Sequence, residues 1–320
     1  MKAHRDEFIE YLFHQAKVDP DIVFISVDMG APALDQWRKE LPHQFVAAGI
    51  SEQNAINFAA GLAAGGKKPY VYMMACWVAR CFEQIRYSCA MPKNAVTIIG
   101  NGVALGYAPA GPAHEPTEDL CYMRAIEGLE ITSPSTAAQV RFIAESTLSE
   151  PALRYVRLER SVALRLADRT TAPANGGIDL LKVFKGDLNR ELTILTSGYL
   201  LDRALDIAKD LSEETSWSIQ ILDIWKIKPL DIDMLSTLIE NSELLVTIEE
   251  QAREGAFGAA ILEAISDLGR MTPTLRLSLS TAYAFENGSR DELLDLYGLS
   301  KGKMKSQILE IIKKGRPTND

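Results

Sequence analysis

The chain contains no apolar run near the roughly 18 residues that span a bilayer, and no Lys/Arg run longer than a pair. With a net charge of −9, it offers no electrostatic footprint for nucleic acid or an anionic membrane, which leaves small molecules and proteins as partners. The N-terminal "MKAHRDEFIEYLF" is amphipathic and carries acids, unlike a secretory leader, so a cytoplasmic protein is expected. The four cysteines (Cys76, Cys81, Cys89, Cys121) form no C-x-x-C pair, and the four histidines (His4, His14, His43, His114) are scattered. Buried, reduced thiols are expected, with no metal site on this chain. Proline and glycine are not in excess, which argues against extended disorder.

The chain does have strands and helices in alternation. At 320 residues it exceeds what one core usually serves, and two domains are expected. Helical spacing over 6–18 (Phe8, Ile9, Leu12, Phe13, Ala16) ends at Asp19-Pro20, and "IVFISV" then reads as a buried strand closing at Asp28. A helix opening at Ser51 follows, with Ser51 as its cap and Asn54 three residues on. Next come strand "PYVYMMA", helix "WVARCFEQIRYSCAM", strand "AVTIIG", a glycine-rich loop "NGVALGYAPAGPAHEP", helix "EDLCYMRAI", strand "LEITSP", helix "TAAQVRFIAESTL" and strand "ALRYVRL". This order predicts an α/β fold with a mostly parallel sheet and helices on both faces. Residues 167–180 are polar and rich in Gly, Pro and Thr, and a linker is expected over 167–190. Beyond them the alternation resumes as a second, smaller α/β domain. The expected division is 1–166, linker 167–190, and 191–320.

Doubly wound sheets hold ligands beyond the carboxyl ends of their strands. Asp28, Glu52, Trp77, Arg80 and His114 all fall in such strand-to-helix segments. Each alone has an ordinary structural reading. Glu52 suits a helix N-terminus by about 0.3–1 kcal/mol, Asp28 a turn and Trp77 a core. Their common placement on one sheet edge makes them candidates for a site.

"GISEQNAINFAAGLAAGGKKPYV", "CWVARCFEQIRY", "APAGPAHEP" and Met123-Arg124-Ala125-Ile126 together resemble the pyrimidine-binding domain of transketolases and 1-deoxyxylulose-5-phosphate synthases, which are thiamine-diphosphate enzymes. "IEEQAREGAFGAAILEAI" resembles their C-terminal domain. The resemblance covers nearly the whole chain and implies two doubly wound domains. The family's Gly-Asp-Gly motif, followed some way on by Asn, holds the cofactor diphosphate through Mg2+ or another divalent metal. It is missing here, since Gly186-Asp187 continues with Leu188. The resemblance thus implies the second half of a split transketolase, working with a separate diphosphate-binding subunit as a heterotetramer of two plus two.

The resemblance also implies roles for single residues. Glu52 would bond the pyrimidine ring nitrogen, favouring the imino tautomer of the neighbouring amine that deprotonates the thiazolium carbon. Trp77 would stack on the ring. Arg80 matches an arginine of the deoxyxylulose-phosphate synthases, and Phe82 would be a pocket wall or helix core. Asp28 would lie near the cofactor. His114 would contact oxygens of the bound ketose, and Arg5 and Arg157 would hold substrate phosphate. The family's loop histidine falls on Gly102 and its hydroxyl-recognising aspartate on Ala110, which implies an acceptor other than the usual aldose phosphate or one held differently. The activity implied is transfer of a two-carbon ketol unit from a ketose or its phosphate to an aldehyde acceptor. The alternatives are an oxo-acid-using synthase or decarboxylating subunit, and a non-catalytic assembly subunit.

Overall fold

The computed structural model describes residues 3–160, 172–185, 191–279 and 283–315. Helix α1 (His4–Ala16) buries Phe8, Ile9, Leu12, Phe13 and Ala16 along one stripe and leads into β1 (Ile22–Ser26), whose residues are all buried. There follow α2 (Leu34–Glu40), β2 (Phe45–Ala47), α3 (Glu52–Ala64) and β3 (Lys68–Met74). The predicted helix after β3 is built of three windings: a 3-10 segment Ala75–Cys81, α4 (Phe82–Gln84) and a π segment Ile85–Ala90. Then come β4 (Thr97–Asn101), the glycine-rich loop, α5 (Asp119–Met123), β5 (Glu130–Thr132), α6 (Ala137–Ser149) and β6 (Arg154–Leu158).

The second half comprises β7 (Ile178–Phe184), β8 (Leu192–Thr196), α7 (Leu201–Glu214), β9 (Ile219–Ile224), β10 (Lys226–Lys228), α8 (Ile232–Leu238) and β11 (Leu244–Ala252). It closes with α9 (Phe257–Asp267), β12 (Thr274–Leu279), α10 (Arg290–Leu294) and α11 (Lys301–Gly315). The first sheet has the order β10-β5-β6-β4-β3-β1-β2 and the second β12-β11-β8-β9-β7. Only the edge strands β10 and β7 run antiparallel. The central strands β1, β4, β6 and β8 are buried on both faces, as parallel strands covered by helices must be. Two doubly wound α/β domains are present, as expected.

The linker reading needs correction. Residues 178–184 form the edge strand β7, antiparallel to β9, with a register shift between Leu180 and Lys182 that breaks the alternation and hid the strand. Residues 167–171 and 186–190 lie outside the described residues. The boundary is also crossed in the other direction, because β10 from the second half pairs with β5 and extends the first sheet. Gly177 (φ +81) makes the turn that allows this. Its carbonyl accepts the amides of Trp225 and Lys226 at 3.0 and 3.2 Å, and a Cβ there would come within 2.1 Å of the Lys226 side chain.

The core follows these layers. Phe8, Leu12, Trp37 and Ile143 pack on one face of the first sheet, and Ile56, Ile85 and Met123 on the other. The second of these clusters continues without interruption into Leu222, Leu245 and Phe257 of the second domain. Leu105 and Ala108 of the glycine-rich loop are buried in the other core of the second domain, so that domain holds the loop in place. Among the described residues, no helix is long and apolar enough to cross a membrane.

Candidate active site

The carboxyl ends of β1, β3, β4 and β6 are in register, pairing Ser26 with Tyr72, Met74 with Asn101 and Asn101 with Leu158. The chain leaving β2 turns at Gly49 (φ +68), and Ser51 precedes α3. Ser51 does not cap the helix. Its hydroxyl instead donates to the Ala48 carbonyl at 2.6 Å. Glu52 therefore enters the first turn beside backbone amides that Ser51 leaves open, and it is only 7% exposed. Its ion-pair partner among the described residues is Arg80, whose Nη1 donates to Oε1 at 3.3 Å from a side chain that is half exposed. The helix-terminus field offsets only a small part of what it costs to bury a carboxylate with one long contact.

The 3-10 winding after β3 explains how Arg80 reaches this position. At three residues per turn, side chains at i and i+3 eclipse, and the Arg80 guanidinium lies over the Trp77 ring at 4.2 Å. The Trp77 ring meets His114 edge to face at 5.7 Å between centroids, and His114 lies 6.3 Å from the Tyr107 ring. Arg160 covers Tyr107 at 4.4 Å, and the buried Asn101 donates from Nδ2 to the Tyr107 hydroxyl at 2.8 Å. The result is a continuous rim of Glu52, Arg80, Trp77, His114, Tyr107 and Arg160. His114 Nδ1 is buried in it without a hydrogen-bond partner among the described residues.

Four of the sequence candidates thus meet: Glu52, Trp77, Arg80 and His114. The other four stand apart from this chain of contacts. Asp28 is exposed at the end of β1 with φ +45, on the same edge but not hydrogen-bonded to the others. Phe82 is half-buried against the core around Ile56 and Ile85. Arg5 grips Asp6 with two bonds of 2.8 and 2.9 Å. It remains in electrostatic reach of Tyr107, where burial raises the phenol pKa and the charges of Arg160 and Arg5 oppose the rise.

Arg157 requires a correction. It is fully buried, with Nε and Nη2 on the Asp119 carboxylate at 2.7 and 3.0 Å and Nη1 on Ser133 Oγ at 3.0 Å. Tyr155 donates to the same carboxylate at 2.8 Å. The guanidinium fork is spent on a structural pair and cannot reach a phosphate. Arg160, three residues on, is exposed at the rim. Tyr107 and Arg160 were both missed, although the last arginine of "LRYVRLER" is Arg160 itself.

The second domain anchors this rim through a buried ionic cluster. Arg290 at the start of α10 donates to Glu159 at 2.6 and 3.1 Å and to Glu250 at 2.6 Å twice, while Glu250 also accepts the Leu105 amide at 3.2 Å. Glu159 adjoins Arg160 in sequence and Leu105 lies two residues before Tyr107, so this cluster holds the Tyr107–Arg160 end of the rim. Glu115, next to His114, is buried against Glu250, and burial followed by the charge of Glu250 pushes its pKa up to about 7. The two adjacent acids of "IEEQAREGAFG" have separate tasks. Glu250 serves this cluster, while Glu249 accepts the Gly258 amide at 2.9 Å near the start of α9.

Such a rim on a doubly wound domain, with a second α/β domain buttressing its loop, is a candidate for one half of a ligand site. Comparison with known proteins agrees. Residues 2–163 match the transketolase pyrimidine-binding domain and residues 184–304 the transketolase C-terminal domain. The chain belongs to the transketolase family, whose members depend on thiamine diphosphate. It is 30% identical over 321 residues to one subunit of the apulose-4-phosphate transketolase of Phocaeicola vulgatus, covering 98% of this chain and 99% of that one. It is also 30% identical over 312 residues to 1-deoxy-D-xylulose-5-phosphate synthase of Thiobacillus denitrificans, with 96% of this chain matched to 48% of the synthase. A solved structure described as a split gene transketolase, inactive beta4 tetramer, superposes with a TM-score of 0.86 at 27% identity over 99% of this chain and 100% of its own. The Campylobacter jejuni transketolase shares the fold, with a TM-score of 0.79 at 18% identity over 96% of this chain and 46% of its own. The chain thus corresponds to the C-terminal half of a split transketolase.

Proposed function

We propose that this chain is the pyrimidine-binding half of a thiamine-diphosphate-dependent transketolase that moves a two-carbon ketol unit from a ketose or its phosphate to an aldehyde. The observation that carries this reading is Glu52, a buried carboxylate whose ion-pair partner among the described residues is a half-exposed arginine at the mouth of the site. The residues present fit an aminopyrimidine: Glu52 has a carboxylate oxygen to spare, and the buried Nδ1 of His114 has no partner among the described residues. Glu52 would hold and return a proton at the pyrimidine nitrogen, with Trp77 packing on the ring and Arg80, Asp28 and Phe82 around it. When bound, the cofactor supplies the nucleophilic carbon and the electron sink for cleaving the donor. His114 would steady the substrate oxygens, and Arg160, in place of Arg157, would join Arg5 in holding phosphate.

Among the described residues, no group of three His, Cys, Asp or Glu side chains could hold a metal. The diphosphate and its Mg2+ would belong to a partner subunit, in a heterotetramer of two plus two. The domains would run from residue 1 to about 166 and from β7 onward. Reconstitution tests the proposal. Ketol transfer should appear only when this chain is mixed with a subunit carrying Gly-Asp-Gly followed by Asn, and turnover by this chain alone would overturn the split-site reading. Arg80 and the likeness to the synthases favour a second reading, in which an oxo acid is the donor. Carbon dioxide released from pyruvate by the mixed subunits, with no transfer from a ketose phosphate, would select it. A purely assembling subunit would be indifferent to Glu52→Gln.

A further inference from the structure

We infer that Arg80 is a built-in placeholder for the aminopyrimidine: its guanidinium holds the space between Glu52 and Trp77 and swings out when the cofactor's ring comes in. The inference rests on the thiamine-diphosphate reading above and is the same for a ketose or an oxo-acid donor. Arg80 Nη1 donates to Glu52 Oε1 at 3.3 Å, and the guanidinium carbon lies 4.2 Å from the centroid of the Trp77 ring. The indole face that Arg80 covers is thus the one within reach of Glu52. An aminopyrimidine that bonds this acid and stacks on this ring needs both contacts at once. A guanidinium and an aminopyrimidine also share the chemistry that the two contacts recognise, a flat π-face for the indole and in-plane N–H donors for a carboxylate. The two groups therefore compete for one position.

The structure holds the guanidinium weakly there. The Arg80 side chain is 51% exposed against 8% for Glu52, and no second acceptor bonds the guanidinium among the described residues. A half-solvated ion pair and an exposed cation–π contact are each weak, so the side chain leaves for water at little cost. The backbone is held separately. Gln53, next to Glu52, donates from Nε2 to the Arg80 carbonyl at 3.1 Å, so the guanidinium can turn away while the main chain stays against α3. The winding is what brings the two side chains into line. The 3-10 segment Ala75–Cys81 runs for seven residues, longer than such segments usually do. In an α-helix, residues three apart would be rotated by roughly 60° about the axis, and Arg80 would not lie over Trp77. This arrangement keeps the buried carboxylate paired and the indole covered until a ring with the same two features displaces the arginine.

A placeholder lowers the apparent affinity of what it imitates, so its removal should tighten binding. The test is the Kd of thiamine diphosphate with Mg2+, measured by calorimetry in the complex of this chain with a subunit carrying Gly-Asp-Gly. Arg80→Ala should tighten binding about fivefold, and Arg80→Lys, which keeps the charge and loses the plane, should fall between Arg80→Ala and wild type. Unchanged or weaker binding in Arg80→Ala would overturn the inference, the latter making Arg80 a residue that holds the cofactor. Wild-type binding that neither Glu52→Gln nor Trp77→Ala weakens would count against the thiamine site itself and not against the competition for its position. Methylguanidine binding to the full chain alone, followed by NMR of its methyl signal, then decides. Binding to Arg80→Ala at least fivefold tighter than to wild type, and lost in Arg80→Ala with Glu52→Gln, supports the placeholder. Equal binding to wild type and Arg80→Ala overturns it.

Discussion

Two clusters of carboxylate and arginine, one in the rim and one behind it, differ in how completely they are satisfied. In the cluster around Arg290, two buried glutamates and one largely buried arginine are joined by four bonds of 2.6–3.1 Å, with the guanidinium also 3.7 Å from the Tyr199 ring. Around Glu52 there is one buried acid, one contact of 3.3 Å and a half-exposed arginine that also rests on Trp77. The residue types are the same, yet the first cluster is closed and the second is open. A closed cluster fixes geometry, because removing its arginine strands two buried carboxylates. An open one retains capacity to bond something that is not part of the chain.

The contrast can be broken by substitution. Arg290→Met should cost about 3–5 kcal/mol of unfolding free energy in urea titrations, since it leaves Glu159 and Glu250 buried and unpaired. A loss under about 1 kcal/mol would mean that the cluster is not the anchor described. The pH dependence of stability sharpens the contrast on the Glu115 side. A carboxylate with a folded pKa near 7 and an unfolded value near 4.3 is the more protonated in the folded state between those values. Stability should therefore fall as pH rises from about 4.5 to 7, by up to about 1.4 kcal/mol per pH unit, and level off above 8. Glu115→Gln should remove that component and be the more stable protein at pH 8. A wild-type slope equal to that of the variant would contradict the assignment.

Trp77→Leu should weaken thiamine diphosphate binding in the assembled enzyme about tenfold with little change in melting, through loss of the aromatic face. Arg80→Met should have the smallest effect on stability, under about 1 kcal/mol, because its charge is half solvated. A larger loss would place Arg80 in the structural class with Arg290.

The sequence made the sheet edge legible. The buried strands read as apolar runs, and Glu52, Trp77, Arg80 and His114 follow them at strand-to-helix turns. What it did not show depends on contacts between distant segments. Strand β6 is buried on both faces, so it carries no alternation to reveal that Arg157 faces Asp119 while Arg160 reaches the rim. Strand β10 is only "KIK", and β7 is interrupted by a register shift, so neither has the pattern of a strand in isolation. Ser51 has the residue type of a cap and the geometry of a turn, bonding back to Ala48. Tyr107 was hidden because its ring fills the space that a side chain at Gly102 would need, a contact that spacing does not show.

The most direct test of the account is Glu52→Gln in the reconstituted complex, read in parallel by turnover and by thermal unfolding. The amide keeps the shape and cannot exchange the proton. The account predicts turnover lower by roughly 10²–10⁴ with the melting temperature unchanged or slightly raised. Full turnover in Glu52→Gln would contradict it, and would return the buried acid to the role of a helix-end charge.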